Sequence, residues 1–223
     1  DGKLAILAHY TFSKFLDDVE SSNEYGSVGS YMDAYNGQLD KGLSGSDVPH
    51  HLVVTVSYQI PTLATVRKNT VLNGALSGWK LGLLETYMSG PPFTVITTAN
   101  ATNAFPAGSL RPNLVHDPSL PSGERTVSRW FDTTAFAAPA PFTFGNSPRS
   151  VLRGAPVVTT DVTLEKSFAF TETLKFDLRG EFYNLLNHAN FNVPSATFGT
   201  SDFGVVTSAR PGRTVQLSGR LSF

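Results

Sequence analysis

Residues 214–223 read Thr-Val-Gln-Leu-Ser-Gly-Arg-Leu-Ser-Phe, and the run alternates without a break. Val215, Leu217, Gly219, Leu221 and Phe223 fall on one side of a pleated strand; Thr214, Gln216, Ser218, Arg220 and Ser222 fall on the other. A transmembrane barrel strand needs this arrangement, with apolar residues toward lipid, polar residues toward a wet lumen and an aromatic at the membrane boundary. A second stretch repeats it: Leu174, Phe176, Leu178, Gly180 and Phe182 interleave with Lys175, Asp177, Arg179, Glu181 and Tyr183. One face is uncharged and the other nearly all charged. Mixed charge suits a water-filled interior, because Lys175, Asp177, Arg179 and Glu181 can pair across strands while staying hydrated. A soluble antiparallel sheet with one side in water has the same period, so the pattern alone leaves both settings open.

Composition narrows the choice. Charged residues are 16% of the 223, against roughly 25% in ordinary soluble domains, while hydrophobic residues are a middling 40%. Low charge without high hydropathy fits a barrel whose apolar band is diluted by loops. A net charge of −1 implies no broad attraction to nucleic acid. The absence of cysteine excludes a disulfide framework and thiolate metal sites. No run approaches the roughly eighteen apolar residues of a spanning helix. The chain opens on Asp-Gly rather than Met, which leads us to expect a mature segment or a fragment.

Four further strands complete an all-β, antiparallel up-and-down meander of about six long strands. The first runs from Leu4 to Ser13, the second from Leu52 to Ile60, the third from Trp79 toward Thr98, and the fourth from Val158 to Phe168. In the fourth, Asp161 and Glu165 lie on the polar side, while Lys166 lies on the apolar side, where snorkelling to an interface is expected. The faces of the third are unassigned, because alternation fails near Glu85 and Gly90-Pro91-Pro92 interrupts it. The connections, 14–51, 61–78, 99–157, 169–173 and 187–212, alternate long, medium, long, short, long. Barrels of the outer membrane sort short turns to the periplasm and long loops outside; a soluble sandwich has no reason to. Tyr10, Phe12, Tyr58, Trp79, Phe168, Phe182 and Phe223 lie near strand ends, as an interfacial girdle requires.

Several phrases then follow one another in a telling order. They are His9-Tyr10-Thr11-Phe12-Ser13-Lys14 with Asp17-Asp18, His51-Leu52-Val53-Val54, Gly78-Trp79-Lys80-Leu81 and Ser89-Gly90-Pro91-Pro92-Phe93. Next come Trp130-Phe131-Asp132, Ala135-Phe136, Phe144-Gly145-Asn146, Arg149, Leu152-Arg153-Gly154, and the run Arg179-Gly180-Glu181-Phe182-Tyr183-Asn184-Leu185-Leu186-Asn187-His188. In this series the chain resembles the carboxy-terminal part of TonB-dependent outer-membrane receptors of the Oar-like kind, in which a carboxypeptidase-regulatory-like domain precedes plug and barrel. The resemblance implies that residues 1–223 are the carboxy-terminal portion of a barrel of about 22 strands, with plug and amino-terminal strands absent. It implies a location in the bacterial outer membrane and uptake of a scarce solute. The implied partners are outer-membrane lipid, the remaining strands and plug, and the TonB system, with no nucleic acid and no cofactor.

On this reading the long loops capture ligand, with Tyr25, Tyr31, Tyr35, Trp130 and Asn190 as candidate contacts, since aromatic faces and amides suit sugars and peptides. Asp161, Glu165, Lys175, Asp177, Arg179, Glu181 and Arg220 are expected to face the lumen. Catalytic and metal signals are poor. His50-His51 point to opposite faces, Gly42-Leu43-Ser44-Gly45-Ser46 lacks nucleophile-elbow spacing, and Asp17, Asp18 and Glu20 read as a solvated acidic loop. No enzyme is expected. Two other classes share part of the signature: a secreted β-sandwich binding module for carbohydrate or peptide, and a hydrolase.

Overall fold

The computed structural model describes residues 3–18, 31–33, 35–62, 66, 68, 70–103 and 109–223. Six long strands dominate: β1 (Lys3–Phe12), β2 (His50–Gln59), β3 (Trp79–Met88), β4 (Val157–Ala169), β5 (Lys175–Tyr183) and β6 (Thr214–Ser222). Each pairs antiparallel with the next, so they form a simple meander. Among the described residues β1 pairs only with β2 and β6 only with β5, which leaves the sheet open. The boundaries match the alternating runs closely, except that β3 stops at Met88 rather than continuing toward Thr98. The cause is Gly90: a Cβ there would lie 2.0 Å from the Gly154 carbonyl oxygen, so the chain crosses another backbone at a distance only glycine allows. Pro91 and Pro92 then remove two ladder donors.

The register settles which side chains share a face. Leu4, Tyr58, Leu81, Leu164, Gly180 and Leu217 form one row across the sheet, and Ile6, Val56, Leu83, Val162, Phe182 and Val215 the next. This apolar face also carries Glu85, which explains the failed alternation of β3; its partner in trade is Leu84, on the opposite face. Glu85 is satisfied there, since Thr160 Oγ1 donates to its Oε2 at 2.6 Å. Lys166 corrects the snorkelling expectation. It is 2% exposed, its ammonium donates to the Ser77 carbonyl, and the Trp79 and Phe168 rings lie 5.7 and 4.8 Å away.

Along β1 and β6 no described residue covers the apolar face. Leu4, Ile6, Val215, Leu217 and Leu221 are 53–74% exposed. Burying one such side chain is worth about 1.5–3 kcal/mol, so leaving five in water would forfeit a sum comparable to the roughly 5–15 kcal/mol net stability of an ordinary domain. In hydrocarbon the same exposure costs nothing. The eight steps from Trp79 to Tyr87, at about 3.4 Å each and a tilt near 40°, give roughly 20 Å, close to the ~25 Å apolar band of outer-membrane barrels.

The buried core lies elsewhere. Phe93, Val95, Phe131, Ala135, Phe136 and Leu152 form it, none from a long strand, flanked by Leu114, Trp130, Phe198 and Phe203. The connections 13–49, 89–156 and 184–213 all leave the same end of the sheet and their described residues build this layer, whereas 60–78 and 170–174 connect strands at the other end. The sorting of loop lengths by side is therefore observed. A helix, α1 (Thr70–Leu76), sits in the 60–78 connection, where the sequence analysis assigns no element.

Candidate functional site

Two surfaces have functional geometry. The first is the inner face of the sheet, where the curvature encloses a concavity of about 350 Å³ lined by residues including Lys80, Asp161, Glu165, Arg179 and Glu181. Cross-strand register places Glu165 directly between Lys80 and Arg179, and Asp177 opposite Arg220. Arg179 Nη2 lies 2.8 Å from Glu181 Oε1, and Ser167 Oγ donates to Asp177 Oδ1 at 2.6 Å. Asp161, at the long-loop end, accepts the Asn184 N–H at 2.8 Å. All seven charged positions expected on this side, Lys175 included, share it. The face is not wholly polar, because Leu7 and Leu84 lie in the row of Thr55 and Asp161.

The second surface is the loop layer. Its phenylalanines interlock edge to face, with the Phe131 ring centroid 5.1 Å from Phe203 and 5.9 Å from Phe136. Three arginines of the second long loop grip three aspartates of the first. Arg111 Nη1 lies 2.7 Å from Asp40 Oδ1 with both side chains buried, and Asp40 also accepts the Met32 N–H at 2.9 Å. Arg149 pairs with Asp17 and donates to its carbonyl at 2.8 Å, and Arg153 pairs with Asp47. Burial alone raises the Asp47 carboxyl, but the Arg153 hydrogen bond, the Phe15 N–H and the charges of Arg153 and Lys14 hold it below its ordinary 3.8. Burial lowers the Arg149 guanidinium.

The third long loop is tied in by backbone bonds, Ile96 N–H to the Ala196 carbonyl and Trp130 N–H to the Gly204 carbonyl, both at 2.9 Å. A meander with an unpacked apolar face, a charged concave face and a folded layer at one end has the form of a membrane-spanning barrel wall.

A family model described as an outer membrane beta barrel domain matches residues 1–216. The chain belongs to that family. No curated protein and no solved structure matches the chain. This outer-membrane β-barrel domain lies in the bacterial outer membrane, and an uncovered apolar strand face is what such a barrel turns toward lipid.

Within the barrel domain the four expected ligand contacts that are described, Tyr31, Tyr35, Trp130 and Asn190, do not line one cavity. Trp130 borders a cavity of about 250 Å³ with Ser119, Arg125, Ser150 and Arg153. Its Nε1 donates to the Arg153 carbonyl at 2.9 Å, and the Arg125 guanidinium carbon lies 6.0 Å from the ring centre. Tyr35 is fully exposed, whereas Tyr31 is half-buried with its hydroxyl 3.5 Å from Asp18 Oδ2. Asn190 requires correction: it is 2% exposed, and its amide accepts from Val158 N–H at 2.8 Å and donates to the Val158 carbonyl at 2.9 Å. It clamps the third loop to β4 and presents nothing to a ligand. Tyr25 and Glu20 fall outside the described residues. Asp17 is an ion-pair partner of Arg149 rather than part of a solvated acidic loop.

The arginine–aspartate pairs are the feature that sequence reasoning missed. Their partners stand 71, 132 and 106 residues apart, so no local spacing could join them. The only signal was that Asp17, Arg149 and Arg153 occur in the phrases that carry the receptor resemblance.

Proposed function

We propose that this barrel domain is the carboxy-terminal segment of a TonB-dependent receptor that imports a scarce solute too large for porins. The observation that supports this most is the loop layer, with its own aromatic core and its buried ion pairs. A passive pore works with an open mouth; a receptor needs a preorganised surface, because every side chain ordered on binding subtracts from affinity. Trp130, with Arg125 over its ring and Ser119 and Ser150 beside it, offers the mixed stacking and hydrogen bonding that sugars or peptides use. Tyr31 and Tyr35 of the first loop are further contacts. The partners are outer-membrane lipid, the remaining strands and plug, and the TonB system acting through the plug side. The cargo crosses unchanged, and no catalytic residue is assigned.

The test is uptake by cells that express the complete receptor, with labelled iron chelates, cobalamin and oligosaccharides as cargo. Accumulation of one class against its gradient, lost when TonB is deleted, is expected. Uptake that only follows the gradient and ignores TonB overturns the reading. Trp130→Ala is expected to weaken binding of the transported class about tenfold or more, as loss of a central aromatic contact does.

A further inference from the structure

The connection 60–78 lies at the end opposite the loop layer, and its helix is fastened from the lipid-facing side. Trp79 Nε1 donates to the Ala75 carbonyl at 3.0 Å, and the Lys166 ammonium donates to the Ser77 carbonyl. Trp79 and Lys166 are directly opposite in register, on the face that carries Leu81 and Leu164. The carboxy-terminal end of α1 is therefore held over the outside of the barrel wall rather than across the lumen. This cover also accounts for the burial of Lys166, a cation that would otherwise meet hydrocarbon.

The helix is two-sided. Val71, Leu72, Ala75 and Leu76 occupy one stripe at helical spacing, opposite Asn73 and Gly74. Val71, Leu72 and Leu76 are 80%, 46% and 52% exposed, and they extend the apolar band of the sheet beyond Trp79. Lys68, exposed two residues before the helix, adds a positive charge of the kind that anionic lipid attracts. We propose that α1 is an interfacial helix, seated with its apolar stripe in the headgroup and acyl boundary of the periplasmic phospholipid leaflet, which anchors the 60–78 connection and shields Lys166. The occupant is phospholipid, because the stripe continues a surface that already faces lipid. The proposal rests on the barrel placement and is independent of the transport reading.

The chain has no cysteine, so single thiols can be introduced cleanly. Leu72→Cys, Asn73→Cys and Leu186→Cys, each carrying an environment-sensitive fluorophore, are compared in the full chain reconstituted into phosphatidylethanolamine–phosphatidylglycerol vesicles. Leu186 is 72% exposed in the third long loop and serves as the aqueous reference. A blue shift at position 72, with loss of emission when shallow nitroxide lipids are present and little loss at 73 or 186, is the expected result. Quenching at 72 no greater than at 186, or equal at 72 and 73, overturns the proposal.

Discussion

The sheet and the loop layer of this barrel domain are stabilised by opposite means. The sheet has an apolar face left largely open and covered near Trp79 and Lys166 by α1, and each strand neighbours the one before it in sequence. The loop layer has a conventional interior of interlocked phenylalanines, and it is closed by charged pairs between residues far apart in sequence. The sheet depends on its solvent, since lipid must complete what the chain leaves open. The layer depends on long-range contacts within the chain, with Asn190 and Asp161 tying it to the sheet. Substitutions should therefore separate the two regions.

The largest effect is expected at Arg111. Removing one member of a buried pair strands the other, a loss of about 3–5 kcal/mol. Arg111→Ala should thus loosen the backbone around Lys41, whose side chain is already at the surface, enough for trypsin to cleave there, while the unheated barrel still runs as a folded band in detergent gels. Loss of the folded band together with the loops would show that the two regions are one cooperative unit.

Next comes the sheet. Leu217→Arg places a cation on the lipid-facing side and should cost about 2–4 kcal/mol near the membrane midplane. Gln216→Arg, one residue away on the inner side, should cost far less. Urea titration of refolding into vesicles measures both, and equal losses would dissolve the distinction between faces.

The smallest effect concerns pH. Because the folded Asp47 carboxyl lies below its ordinary 3.8, its contribution is fully present above that value and is lost as pH falls through the folded value. Loop resistance to an acid-tolerant protease should stay level down to about pH 4 and then decline. Asp47→Asn should make that decline shallower while leaving the folded band unchanged, since Asp117, Asp132 and Asp202 of the loops are also held below their ordinary value by hydrogen bonds.

Much of the sheet was legible from the chain alone. A pleat has a period of two and a hydrocarbon face tolerates few charges, so five of the six strands could be bounded and faced from runs such as 174–183 and 214–223. β3 resisted because Glu85 and Leu84 each sit on the side opposite to their chemistry. Thr160, which satisfies Glu85, is brought beside it only by the β3–β4 register. Asn190 was misplaced for a related reason: in a loop rich in polar residues nothing local distinguishes an amide that faces water from one that clamps Val158.

The sequence by itself determined that the protein is a two-faced meander with its long connections on one side, because alternation and loop length are local properties of the chain. Only the tertiary structure decided that those connections fold into a layer with its own core, that Asp17, Asp40 and Asp47 meet arginines of another loop, and that α1 lies against the outer side of the wall. Each of these depends on contacts between segments whose separation along the chain leaves no periodic trace.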